Sequence, residues 1–268
     1  MRPIYANSYR PPDSETMDRC ACGRTKRKTD ALCHSCEVEA GEKARRAAQG
    51  ADLLANETET MRTILELAGM SPEHMDARLD LIPAGIASAV PQEARETLEA
   101  GKTPPSGFGL AGTTGAGKSM AVAALVSAYM RARVREHAPT MGNRILSARP
   151  PIRWEDWPLA VAWMRDNVDK AGARVERLQD VPLLVLDDLG AERRVKASYE
   201  EEFGAEKLDL ILHGRRLRKL PTIWTANLGS EALRERYGAR AFSRLVGSNP
   251  CIAWINSPDL RMARPRQD

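Results

Sequence analysis

The segment Gly112-Thr-Thr-Gly-Ala-Gly-Lys118-Ser119 restricts this chain more than any other part of it. Its glycines let the backbone curl, so that successive N–H groups point at one centre. Such a loop works between a strand, which fixes where it starts, and a helix, which turns its positive N-terminus toward the same centre. The flanks agree. FGLAG precedes the loop, and the mainly apolar run Met120–Met130 follows it in a helix expected to reach about Glu136. The pattern G-x-x-x-x-G-K-[ST] is met at each fixed position, which makes the loop a phosphate cradle. Gly112, Thr113, Thr114, Gly115, Ala116, Gly117, Lys118, Ser119 and Met120 are assigned to ATP. Lys118 reaches the β- and γ-phosphates, and the Ser119 hydroxyl ligates Mg²⁺.

A second half of the site lies downstream. VPLLVLDDLG is a continuous apolar run ending in two acids, as expected of a parallel strand buried on both faces. Asp187 is assigned to Mg²⁺ and Asp188 to polarising the attacking water. An aspartate at 188 is one methylene shorter than glutamate, so slow, partner-dependent hydrolysis is expected. LPTIWTANL gives another apolar strand, closed by Asn227. Its amide either orients the water or touches the γ-phosphate, or it simply closes the strand, as Asn often does. Strands alternating with helical segments predict an α/β fold with a parallel sheet, whose chemistry sits at the carboxyl ends of the strands.

The 268 residues suit one such domain with a small appendage, and the net charge of +4 permits an acidic partner. The longest mainly apolar run is too short to cross a bilayer, and the first residues hold no apolar signal core, so a cytoplasmic protein without membrane contact is expected. Residues 1–17 are expected to form a flexible arm, 18–68 a cysteine module with a helix, 69–106 a proline-broken linker of short helices, and 107–268 the nucleotide domain. Helix is expected from Glu37 to about Leu67.

Four of the five cysteines form the pattern Cys20-x-Cys22, ten residues, Cys33-His34-Ser-Cys36. Four thiolates so spaced suit tetrahedral Zn²⁺, with Gly23 relaxing the tight first half. The intervening Arg24, Lys26, Arg27 and Lys28 either meet DNA phosphates or an acidic protein surface, or form a solvated loop. Cys251 reads as a core thiol.

Four blocks in order, GLAGTTGAGKS, LLVLDDLGAE, LPTIWTANL and YGARAFSRLVG, resemble the DnaC/IstB branch of the AAA+ ATPases across residues 74–260. The resemblance implies a core sheet of strand order 5-1-4-3-2 without a clear lid. It makes Asn227 a sensor of the γ-phosphate and Arg244 an arginine finger donated to a neighbouring subunit, with Arg240 second. Self-association follows from such a finger. The function it implies is ATP-dependent loading of a hexameric replicative DNA helicase, with single-stranded DNA as a further partner and the zinc module binding the helicase. An IstB-like transposition helper and a non-hydrolysing, ATP-gated adaptor are the alternatives.

The remaining features have plainer readings. Trp154, Trp157 and Trp163 are expected in the core. Arg131, Arg133 and Arg135 are placed near the end of the helix after the loop, and Arg215, Arg216, Arg218 and Lys219 on a solvated helix end. Arg193, Arg194 and Lys196 are candidates for a loop facing single-stranded DNA.

Overall fold

The computed structural model describes residues 17–192, 199–247, 252–256 and 259. The expected arm over residues 1–16, the basic loop of Arg193, Arg194 and Lys196, and Cys251 lie outside the described residues.

Strands β1 (Met17–Arg19) and β2 (Thr25–Arg27) form an antiparallel hairpin. Helices α1 (His34–Ala55) and α2 (Glu57–Ala68) follow. The single helix expected over this region is divided at Asn56. The Asn56 side chain donates to the Asp52 carbonyl at 3.0 Å and the Thr60 hydroxyl to that of Leu53 at 3.0 Å, so side chains take carbonyls that a continuous helix would use.

The prolines then break the chain into α3 (Pro72–Met75), a 3₁₀ turn (Leu79–Leu81), α4 (Ala84–Ala87) and α5 (Gln92–Glu99). This stretch is packed rather than loose: Met70, Ile86, Val90 and Leu98 share one buried core with the main sheet.

That sheet is built from β3 (Phe108–Gly112), β4 (Ile152–Asp156), β5 (Leu183–Leu189), β6 (Thr222–Ala226) and β7 (Ile252–Ile255). Their spatial order is β4-β5-β6-β3-β7, and every pairing is parallel. Counted from β3, this is the 5-1-4-3-2 order, seen from the other edge. The connecting helices are α6 (Lys118–Met141), α7 (Arg144–Ser147), α8 (Trp157–Asp166), α9 (Val168–Asp180), α10 (Tyr199–Leu217) and α11 (Ser230–Val246).

The apolar run of β5 is buried on both faces because its side chains alternate between two cores. Leu183 and Val185 face the layer of α6 and the preceding short helices, while Leu184 and Leu186 face the layer of α8 to α11. Trp154 lies in the first core and Trp157 in the second, and Trp163 packs against the second core.

Two expectations need correction. Helix α6 runs on to Met141, with Pro139 inside it, so Arg131, Arg133 and Arg135 are not at its end. Arg131 and Arg135 instead bind Glu57 of α2 at 3.0 and 2.8 Å. The extension exists because α1 lies against it: a Cβ at Gly50 would stand 2.2 Å from the Ala138 carbonyl oxygen. Arg215 is not solvated but 1% exposed. Its guanidinium donates to the carbonyls of Leu178 (2.8 Å), Val181 (2.7 Å) and Pro221 (2.5 Å), and its Nε to the Thr222 hydroxyl (2.9 Å). Among the described residues no helix is long and apolar enough to cross a membrane.

Candidate nucleotide site and cysteine cluster

The loop leaves β3 at its carboxyl end, beside the ends of β5 and β6. Gly115 and Gly117 adopt φ of 76° and 85°, the left-handed region that glycine enters without strain. At Gly112 the neighbour decides: a Cβ there would stand 2.1 Å from the Ile255 carbonyl oxygen of β7. The carboxylate of Asp259 lies against Gly115, close enough that a Cβ would clash with it at 2.0 Å.

Two linked networks join the sequence-assigned residues. In one, Lys118 donates from Nζ to the Gly112 and Thr113 carbonyls (3.1 and 2.8 Å) and to Asn227 Oδ1 (2.8 Å). Asn227 in turn donates from Nδ2 to Asp188 Oδ1 at 2.5 Å. The amide thus spans the lysine and the acid, which fixes its orientation. In the other, Ser119 Oγ donates to Asp187 Oδ1 at 2.8 Å, and Thr225 Oγ1 donates to the same oxygen at 2.5 Å. Thr225 Oγ1 also accepts the Asp188 backbone N–H at 2.9 Å, tying the two networks together.

Asp187 and Asp188 point differently because the strand is irregular between them. The β5–β6 register shifts between Leu186 and Leu189, and Asp188 takes φ of 61°. A non-glycine residue in that region costs about 1–3 kcal/mol and is tolerated best by Asp and Asn. Burial holds the Asp187 carboxyl above the usual range, against the two hydroxyl hydrogen bonds, which lower it. Burial also raises Asp188, as do the charges of Asp187 and Asp156. Crowded hard oxygens next to the lysine and the loop amides form a donor set that suits Mg²⁺ with a polyphosphate.

Sequence reasoning missed five participants. Thr225 lies one turn of the pleat before Asn227, inside a run that looked purely structural. Asp156 ends β4 opposite Asp187 and caps α8 through the Leu159 N–H at 3.0 Å; an acid at the end of a parallel strand was the available signal. Tyr237 accepts the Gly190 N–H at 2.8 Å and donates to Glu192, and Arg236 pairs with Glu192 at 3.0 Å. Burial, then the Glu192 charge, push the Tyr237 phenol well up. This cluster anchors the chain leaving β5.

Arg244 is not brought to the loop of its own chain. It binds the Asp209 carboxylate of α10 and is 14% exposed. Arg240, one turn earlier on α11, is 81% exposed and stands 3.7 Å from the same acid.

At the other end of the chain, the sulfurs of Cys20, Cys22, Cys33 and Cys36 all lie within 4.8 Å of one another. Cys20 and Cys36 are 3.7 Å apart, and Cys22 and Cys33 3.5 Å. A thiolate tetrahedron around Zn²⁺, with bonds of about 2.3 Å, has edges of roughly 3.8 Å, so the set fits that ion. Gly23 turns the hairpin with φ of 85°, its N–H donating to the Cys20 carbonyl at 2.8 Å. Backbone N–H groups of Cys22 and Cys33 pull the Cys20 thiol down to about 6, while hydrogen bonding to the neighbouring sulfurs pushes Cys36 up to about 12. An uneven pair of this kind is what four crowded sulfurs give when one ionises first.

Comparison with known protein families finds no matching model, and comparison with curated proteins finds no match. Solved structures do match. A crystal structure of the DnaC helicase loader is 20% identical with a TM-score of 0.51, covering 69% of this chain and 99% of that one. A crystal structure of DnaI is 22% identical with a TM-score of 0.50, covering 70% and 94%. A putative primosome component from Streptococcus pyogenes serotype M3 is 19% identical with a TM-score of 0.50, covering 73% and 95%. At these identities the likeness establishes the fold: a parallel five-stranded α/β core of the kind found in the DnaC and DnaI structures, preceded here by a cysteine cluster.

Proposed function

We propose that this chain is an ATPase that loads a replicative DNA helicase in the cytoplasm of a bacterial or phage-infected cell. The single observation that carries the reading is the bridge Lys118–Asn227–Asp188 beside Ser119–Asp187, formed at the strand ends of a fold shared with helicase loaders. The loop from Gly112 to Met120 binds the phosphates of ATP, with Lys118 on the β- and γ-phosphates. Ser119 and Asp187 hold Mg²⁺, which neutralises phosphate charge when bound. Asp188 polarises the attacking water and accepts its proton. Asn227, touching both the lysine and this acid, reports phosphate occupancy to the base.

Arg244 serves as the finger toward a neighbouring subunit's ATP, so the active form is an oligomer. Asp209 holds its guanidinium in the free subunit, and leaving that acid is part of assembly. Arg240 shares Asp209 and is the second candidate. The four cysteines hold Zn²⁺, which here fixes a hairpin rather than supplying chemistry, and the module presents its surface to the hexameric helicase. The assembled ATPase domains bind single-stranded DNA. ATP binding keeps the helicase complex together, and slow hydrolysis, stimulated by helicase or DNA, releases it.

The test is the mass of the complex formed with the host replicative helicase, ATP and Mg²⁺, by size exclusion with light scattering. A joint complex is expected, and it should vanish when residues 1–32 are removed, a cut that leaves α1 on α6. No complex with any nucleotide would overturn the loader reading and bring the transposition helper forward.

A further inference from the structure

Along β4 and the facing helix α9, the outer edge of the sheet carries a second set of charges that the nucleotide site does not use. Arg153 and Glu155 alternate on one face of β4, where a strand against a helix ordinarily carries aliphatic residues. Glu155 is 3% exposed. It binds Arg153 at 2.6 Å and also Arg174 of α9. Arg149 and Arg177 complete the wall, and Arg149 donates to the Arg177 carbonyl at 3.2 Å. These groups line a cavity of about 340 Å³ whose apolar side includes Leu67 and Leu178.

Four guanidiniums face one carboxylate here, and among the described residues neither Arg149 nor Arg177 has an acidic partner. Apolar residues would hold this edge at least as well, since a buried ion pair seldom adds stability. The forks are also held in place before any ligand arrives. The Arg174 guanidinium lies 4.7 Å over the Trp163 ring, and its Nε is buried with no hydrogen-bond partner. The Arg153 guanidinium lies against Gly69, where a Cβ would stand 2.9 Å from its central carbon and where φ is +91°.

We propose that this cavity binds a phosphate ester, its oxygens held by the arginine forks and its organic part resting against Leu67. Guanidinium matches phosphate oxygens two at a time, and the volume falls within the range of about 300–1,000 Å³ that takes small ligands. The ester is either the backbone of single-stranded DNA or a free nucleotide. In the first case the cavity supplies the DNA contact of the function proposed above and rests on that reading. In the second it is independent of it.

The test compares the full chain with an Arg149→Glu/Arg177→Glu double variant, both sites being exposed. Binding of a fluorescent oligothymidylate is followed by anisotropy over a range of salt. Binding of AMP is followed by calorimetry in a Lys118→Ala background, which removes competition from the loop. For a DNA ligand, the double variant should bind oligothymidylate about tenfold more weakly, with a log–log salt slope shallower by about 1.4 for two lost phosphate contacts. For a free nucleotide, oligothymidylate binding is unchanged and AMP binding falls at least about tenfold. If the wild-type chain binds no DNA yet binds AMP through these arginines, the DNA half of the proposed function fails and the cavity stands. Unchanged binding of both probes, with ATP still bound at the loop of the double variant that keeps Lys118 to show an intact fold, overturns the inference.

Discussion

Asn227 and Thr225 show how much one side chain can be asked to do. Each makes two contacts that no aliphatic residue of similar size can make: Asn227 with Lys118 and Asp188, Thr225 with Asp187 and the Asp188 N–H. Replacing Asn227 by Ala removes an oriented amide from the reacting end of the site. Turnover in a phosphate-release assay should fall roughly a hundredfold, the loss typical of one preorganised donor, while titration with a fluorescent ATP analogue shows a much smaller change. Asp188→Asn is the cleaner probe of the proposed base. Asn tolerates the left-handed backbone that residue 188 adopts, so the fold is kept and the proton acceptor is lost. Turnover should drop by about 10²–10⁴-fold with ATP still bound. Equal turnover in Asp188→Asn and wild type would remove Asp188 from the mechanism.

At the scale of elements, Arg215 is the example of a residue whose role depends on where its neighbours end. Burial pulls its guanidinium down to about 9, still well above neutral, so it stays charged while it binds the chain leaving α9 and the turn into β6. Arg215→Leu leaves the three carbonyls of Leu178, Val181 and Pro221 without their donor. Urea unfolding should show a loss of about 3–5 kcal/mol, and Arg215→Lys should recover only part of it, because an ammonium lacks the planar fork. The α1–α6 contact offers a second case. Gly50→Val puts branched atoms into the space held by the Ala138 carbonyl, so α1 must move outward, at a cost of about 1–3 kcal/mol in the same assay.

For the whole molecule, the cysteine hairpin and the nucleotide core depend on different chemistry and should respond separately to a chelator. Residues 17–33 place few apolar groups in either main core, so the cluster itself holds the hairpin. On the function proposed above, a chelator that strips Zn²⁺ from the cluster should open this segment to protease and abolish helicase binding, while ATP affinity at the loop stays within about twofold. A chelated protein that still binds helicase normally would separate the hairpin from partner recognition.

The loop, the paired acids and the cysteine spacing were legible in the chain because each depends on residue type at short range: glycines that turn a backbone, acids at the end of an apolar run, thiols a few residues apart. Asn227 took its role as a sensor only through the family resemblance. The alternating apolar faces of β5 were legible for the same reason. What the tertiary structure alone decided came from distant segments meeting. Thr225 became a clasp only when β6 lay beside β5, and Arg215 a buried one only when α9 and the turn before β6 converged on it. Arg244 found Asp209 on the preceding helix, thirty-five residues away. The arginines of β4 and α9 became a cavity only when sheet and helix packed. Short-range pattern fixes local conformation and chemistry, but burial and pairing are properties of the packed whole.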